Sequence, residues 1–277
     1  GLIVLTYIPL IAVFGLSFFK WGGTGAPEWN GINNYIKLFT TDPYFKESIK
    51  VTVYFSLLAV VGSMVYSLIV AMLLNRKIPA RGFFRAVFYL PYVLPAAAVY
   101  IGWSWLYNTE WGLFNYILSK LGIERLMFVS SSSQVVPSLA LIAVWLSGNL
   151  IVIFLAGLQN VPRVYHEAAE IDGANAWQRF WHVTFPSMTP IIFYNMLMSL
   201  ITNMQVVTPA LALTKGGPGK SSYFMSYMLY NYAFKQRGKI GLACAIAFVL
   251  FLLIGAFTLL LFATSKSWIF YEGGDDK

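Results

Sequence analysis

Six times along this chain an apolar run is long enough to cross the ~30 Å hydrocarbon core of a bilayer. The runs cover residues 2–19, 51–74, 86–107, 135–158, 187–213 and 240–264. A backbone group without an internal partner in hydrocarbon costs several kcal/mol, so runs of this length fold as helices. Charged residues make up 11% of the chain and apolar ones 58%. A soluble domain is roughly a quarter charged. The reading is an all-α, polytopic membrane protein with six transmembrane helices, its 277 residues forming a single membrane domain. The lone Cys244 lies inside an apolar run, which excludes a disulfide framework and a cysteine metal site. The net charge of +8 sits mostly between spans, where lipid headgroups are the simplest partner and nucleic acid is not needed. Gly1 falls inside the first run with no Met and no charged segment before it, so the start is expected to be trimmed.

The connections set the orientation. Residues 75–85 carry Arg76, Lys77, Arg81 and Arg85 and no acid, which places them in the cytoplasm. Alternation then puts residues 159–185 and both termini on the same side. The loop with Lys215, Lys220, Lys235, Arg237 and Lys239 falls outside, so the total of Lys and Arg runs eleven outside against eight inside. The compact Arg76 cluster outweighs that total, because the rule is strongest for short loops. Ser56, Gly62, Ser63 and Ser67 offer the second span a small surface for close helix packing. Pro91 and Pro95 break the third span near its start. A short helix is expected over 113–121, an amphipathic aromatic segment over 223–234 and a polar tail over 265–277.

Residues 159–185 are a long polar interruption flanked on both sides by good spans. Residues 163–171 are good helix formers, Gly173 suits a left-handed helix end, and residues 174–185 resume helically as far as Pro186. The stretch reads Glu167-Ala168-Ala169-Glu170-Ile171-Asp172-Gly173-Ala174, with Phe180, Pro186 and Pro190 following. It resembles the signature of the integral membrane permeases of binding-protein-dependent ABC importers. Arg85 to Pro95 with Trp103, Trp105 and Leu106 is similar to the sugar branch. Leu213 to Pro218, followed by Tyr230, Ala233, Phe234 and the small residues 241–245, is similar to it as well. The likeness is greatest to the first permease of maltose-type and glycerol-phosphate-type systems and covers nearly the whole chain.

The resemblance implies the type I importer permease fold in a prokaryotic cytoplasmic membrane, inner or plasma. It implies a second homologous permease, two ABC ATPase subunits that bind ATP and Mg, and an extracellular or periplasmic sugar-binding protein. The coupling segment, about 160–186, is expected to sit in an ATPase cleft. Glu167 would pair with a basic residue there, Ala168, Ala169 and Ala174 would allow close approach, and Gly173 would set the turn. Asp172 would either cap the second helix or touch the ATPase. Pro186 would end the element where the fifth span begins.

On that span Ser199, Asn203 and Val206 recur on one helical face, extended by Asn195. Uncharged amides and hydroxyls suit sugar hydroxyls, which donate and accept. The resemblance matches Ser199 and Asn203 to sugar-contacting positions; Val206 and Thr208 fall on further contact positions with different residue types. Thr202 and Gln205 point elsewhere. On the fourth span Trp145 would stack on a sugar ring or pack in the core, Gly148 would leave room, and Asn149 lies at the same depth. His166 and His182 are too few for a metal site, no Walker spacing is present, and the spans carry no intramembrane charges of the kind proton relays use. The chain is therefore no enzyme, has no catalytic residues or cofactor of its own, and leaves ATP hydrolysis to other subunits. The competing class is a self-contained ion-coupled carrier or channel.

Overall fold

The computed structural model describes residues 1–236 and 238–270; Arg237 of the basic loop before the last span and residues 271–277 of the tail lie outside the described residues. Within them the chain is mostly helical, with one two-stranded hairpin pairing β1 (Phe19–Lys20) with β2 (Glu28–Trp29). The first helix, α1, spans Ile8–Leu16 after a π-helical turn at Ile3–Tyr7. A single turn, α2 (Asn33–Ile36), precedes the spine of the molecule, α3 (Phe45–Asn75).

The spine is about 45 Å long at 1.5 Å per residue. It packs against α7 (Val135–Trp145), α8 (Gly148–Asn160) and α11 (Phe185–Met204). The reason lies in its sequence. Ser48, Thr52, Ser56, Ser63 and Ser67 are all buried at near-helical spacing, together with Ala59 and Ala71. Small residues let helix backbones approach closely where no hydrophobic force separates helix from lipid. A Cβ on Gly62 would lie 2.7 Å from Val144 Cγ2. The Ser67 and Ser147 hydroxyls share a hydrogen bond of 2.9 Å between α3 and the start of α8.

Three spans differ from the sequence-based expectation. The third is two helices, α4 (Arg81–Val93) and α5 (Ala96–Leu106), meeting at 100°. Pro95 has no N–H to donate and turns Leu94 into an extended conformation, so the break falls at Pro95, one of the two prolines expected to make it, while Pro91 stays inside α4. The fourth is α7 and α8, bent by 50° at Leu146 and Ser147. The fifth helix stops at Met204 and not at Leu213; Val206 and Val207 are irregular, and the chain turns helical again from Thr208 into a π-helical turn at Ala210–Thr214. By length and hydropathy α3 and α13 (Ile240–Ser265) qualify as spans on their own, and each bent pair qualifies when taken together. Ile3–Leu16 is apolar but shorter. The twenty-residue α11 is long enough and more polar.

The short helix expected in the outer loop is α6 (Leu113–Lys120), packed on α5. The aromatic segment over 223–234 is more than a loop. It forms α12 (Met225–Tyr230) and a π-helical turn at Asn231–Lys235, and it buries Phe224, Met225, Tyr227 and Met228 in the main core. Met225 N–H donates to Thr52 Oγ1 on the spine at 2.9 Å. At the same end the Tyr232 hydroxyl donates to Asp42, whose other oxygen accepts from the first N–H groups of α3 at 3.0 Å. Burial first, and then the Asp42 carboxylate, hold this phenol far above the usual tyrosine range, so it stays a donor. At the opposite end of the spine Gln159 of α8 meets Arg81 and Arg85 of α4. The basic cluster and the acidic segment that follows α8 therefore share one end of the bundle.

Gly148 makes the α4–α8 contact. A Cβ there would stand 2.7 Å from the Phe88 carbonyl and 3.0 Å from Tyr89 Cα. Backbone cannot yield as a flexible side chain can, so Gly148→Ala should destabilise the fold by about 1–3 kcal/mol. A melting temperature in detergent equal to that of the parent would show that this contact is not constrained.

Candidate functional site

A cavity of about 540 Å³ opens between α3, α4–α5, α7–α8 and α11. None of its lining residues carries a charge. Its walls include all three interruptions just described: Leu94 and Ala96 from the first, Leu146 and Ser147 from the second, Val206, Thr208 and Pro209 from the third. Irregular backbone at membrane depth is tolerated where protein buries it or where it lines a cavity. The breaks and the cavity thus have one cause.

Ser199, Asn203, Val206, Thr208 and Asn149 all line this cavity. They reach it by different routes. Ser199 and Asn203 stand one turn apart on α11, where Asn203 Nδ2 donates to the Ser199 carbonyl at 2.8 Å and approaches Ser199 Oγ at 3.2 Å. Val206 arrives from the irregular break after the helix, not from its face, and Thr208 from the start of the helical turn that follows. Thr202, expected to point away, also lines the cavity. Its hydroxyl donates back to the Met198 carbonyl at 2.8 Å.

Trp145 is not among the lining residues. It packs edge-on against Trp103 at 5.5 Å in the main core, and the aromatic walls of the cavity are Phe55, Tyr92, Tyr100 and Tyr194. Gly148 gives room to α4 and not to the cavity. The residue that sequence reasoning undervalued is Asn195. It is fully buried on the cavity wall, and neither amide atom has a hydrogen-bond partner among the described residues. A buried amide left unbonded costs about 1–3 kcal/mol. Its place four residues before Ser199 was the available signal.

The acidic segment folds as two arms. The first, α9, runs Arg163–Ile171 as expected. Gly173 adopts a left-handed φ of 79°. The Ala174 N–H bonds the Ala169 carbonyl at 2.9 Å and the Gly173 N–H bonds that of Glu170 at 3.0 Å. This pair of bonds is a Schellman ending, and glycine suits its left-handed position. Asp172 ends α9 and does not cap the second arm. Asn175 does so, in a reciprocal capping box with Gln178 at 2.9 Å in each direction. Glu170 pairs with Arg179 across the two arms.

The second arm is continuous with the fifth helix. It starts as α10 (Ala176–Arg179), widens into a π-helical turn at Phe180–Thr184 and runs on into α11. Pro186 sits at the first turn of α11 without ending the element, because residues on both sides keep helical angles.

The alanines divide. Ala169 and Ala174 are half-buried in a small cleft between the arms, beside Gln178 and Arg179. Ala168 is exposed, on the same face as Glu167, Val164 and Ile171. Ile171 is 87% exposed and Trp177 on the second arm 69%. Sequence reading passed over Val164, Ile171 and Trp177, although 164, 168 and 171 follow the i, i+4, i+7 spacing of one helical face.

Residues 63–267 match the family described as "Binding-protein-dependent transport system inner membrane component". The chain is 36% identical over 280 residues to the "Probable ABC transporter permease protein YesP" of Bacillus subtilis, covering all of this chain and 90% of that one. It is 36% identical over 268 residues to the "Multiple sugar-binding transport system permease protein MsmF" of Streptococcus mutans, covering 96% and 91%. Its backbone superposes with a TM-score of 0.81 on a bacterial ABC transporter involved in the import of the acidic polysaccharide alginate, at 20% identity and covering 96% and 91%.

Asn195→Leu tests whether the orphaned amide serves the fold. Removing an unsatisfied buried amide should leave the melting temperature in detergent unchanged or raise it, a gain of up to ~3 kcal/mol. A clear drop would mean that the fold itself needs the amide.

Proposed function

The chain belongs to the binding-protein-dependent transport system inner membrane components, and from that membership we propose that it is a permease subunit of an ATP-driven sugar importer. One observation carries the reading. An uncharged, hydroxyl- and amide-lined cavity lies on a helix continuous with the second arm of the exposed helix-turn-helix at one end of the bundle, whose first arm is α9. The relative from Streptococcus mutans is named for multiple sugars. A neutral saccharide, di- or oligomeric, suits a wall without cations. An acidic chain of the alginate kind would leave its carboxylates unpaired there.

In this reading the sugar sits against Ser199, Asn203, Thr208 and Asn149, with Val206 as apolar contact. Asn195 supplies a donor and an acceptor that the fold leaves free. The tyrosines of the cavity offer ring faces. Trp145 acts only behind the wall. Two ATPase subunits dock at the end of the bundle that carries α9, and that end is cytoplasmic because Arg76, Lys77, Arg81 and Arg85 stand beside it. Glu167 and Ala168 meet the ATPase, flanked by Val164 and Ile171 as apolar anchors. Asp172 and Gly173 shape the turn, while Ala169 and Ala174 let the arms close on each other. Closure of the ATPases on ATP moves α9, and the helix that begins at Ala176 carries the movement to the cavity wall, which it reaches at Tyr194 after about 27 Å. A second, homologous permease completes the pathway, and a binding protein delivers the sugar from outside. ATP and Mg belong to the ATPases, and this subunit catalyses no reaction.

Two outcomes test the assignment in the reconstituted transporter. Replacing Glu167 and Gly173 together should abolish the stimulation of ATP hydrolysis by sugar-loaded binding protein; retained stimulation would remove α9 from coupling. Asn203→Leu should abolish sugar uptake while the subunits still assemble, and normal uptake would take Asn203 out of the site. A glycan panel offered to the binding protein should yield a neutral saccharide.

A further inference from the structure

A second pocket, of about 180 Å³, lies between α3, α4 and α8 at the end of the bundle that carries α9. Its walls are apolar, formed by Leu74, Ile151, Val152 and Leu155 among others, and its polar edge is Arg85 and Gln159. Arg81 and Arg85 stand one turn apart on the same face of α4, an arrangement in which like charges repel. With its amide oxygen turned toward them, Gln159 accepts from Arg81 Nη2 at 2.8 Å and from Arg85 Nη2 at 3.0 Å. That neutral oxygen is shared by two cations. Among the described residues both buried Nε–H groups lack an acceptor, and no carboxylate pairs with either arginine. A partly buried guanidinium pair without a counter-charge is costly. Just outside, Phe83 and Phe84 are exposed on α4.

We propose that this pocket binds an anionic phospholipid, its phosphate between Arg81 and Arg85 and the upper part of an acyl chain along Leu74, Ile151, Val152 and Leu155. The chemistry is that of an amphiphile. The phosphate supplies the negative charge and the acceptors that both guanidiniums lack, and guanidinium forks match phosphate oxygens in pairs. A free anion would account for the arginines but not for the apolar wall. A carboxylate from another subunit would leave that wall unfilled too. Basic pockets between spans on the cytoplasmic side are suited to such headgroups. The bound lipid would tie α4 to α8 one turn before the chain enters α9, so it would brace the helix pair from which the coupling arm hangs.

The test is lipid retention by the assembled, delipidated transporter in native mass spectrometry. Phosphatidylglycerol is titrated against phosphatidylcholine with the same acyl chains. The parent transporter should retain phosphatidylglycerol preferentially. Arg81→Gln with Arg85→Gln should weaken that retention about thirtyfold and leave phosphatidylcholine unchanged. Millimolar inorganic phosphate should not displace the lipid. If the double variant does not assemble, Leu155→Trp fills the apolar wall without touching charge and should lower phosphatidylglycerol retention. The proposal is overturned by absent preference in the parent, which is also what a carboxylate from a neighbouring subunit would produce. Undiminished retention in the variants, or displacement by phosphate alone, overturns it equally.

Discussion

Every backbone N–H and C=O in the hydrocarbon core must find its partner inside the protein. That single requirement orders this molecule. It makes the apolar runs helices, and it decides where a helix is allowed to break. The interruptions at Leu94–Pro95, Leu146–Ser147 and after Met204 all converge on one cavity. Freed backbone groups are tolerable there because the cavity can hold water or a polar ligand. A sugar, with a donor and an acceptor on each hydroxyl, is a chemically apt occupant of such a place.

The convergence depends on α3. Its seam of buried serines, threonine and alanines brings α7, α8 and α11 close enough to enclose the cavity. Gly62 and Gly148 serve the same end, one admitting the Val144 side chain and the other the backbone of α4. Small residues here determine which surfaces meet, while larger apolar residues on the outward faces of α3 stay exposed, as Leu57, Val61, Val65 and Ile69 do.

The α9 arm depends on local chemistry to a greater degree. The Schellman ending at Gly173, the capping box of Asn175 with Gln178 and the Glu170–Arg179 pair close the turn without help from the rest of the molecule. A self-contained turn can move as a unit when a partner grips it. The passage from α10 through the π-helical turn into α11 makes the second arm and the helix carrying Ser199 and Asn203 one continuous element. The π-helical turn at Phe180–Thr184 is the single irregularity between Ala176 and Met204, and such turns are frequent at functional sites.

Much of this was legible in the residues alone. Apolar run length determined the helical, membrane-embedded class, because hydrocarbon thickness and backbone satisfaction leave no other choice. Local spacing determined α9 to the residue and the glycine turn after it, because caps and turns involve neighbours in sequence. The polar face at Ser199 and Asn203 was visible for the same reason. What lay beyond reach depended on distant contacts. That Pro186 continues a helix, that Val206 and Thr208 lie beyond the end of the fifth helix, and that Trp145 packs on Trp103 are matters of which elements lie side by side. Asn195 belongs with them: an asparagine four residues before a serine is ordinary in sequence, and only the packed structure leaves both its amide atoms buried and unbonded against the cavity. The sequence determined which segments must be helices, since that follows from the solvent. Tertiary structure decided where those helices break and what the breaks enclose, since helix packing places each break beside the others.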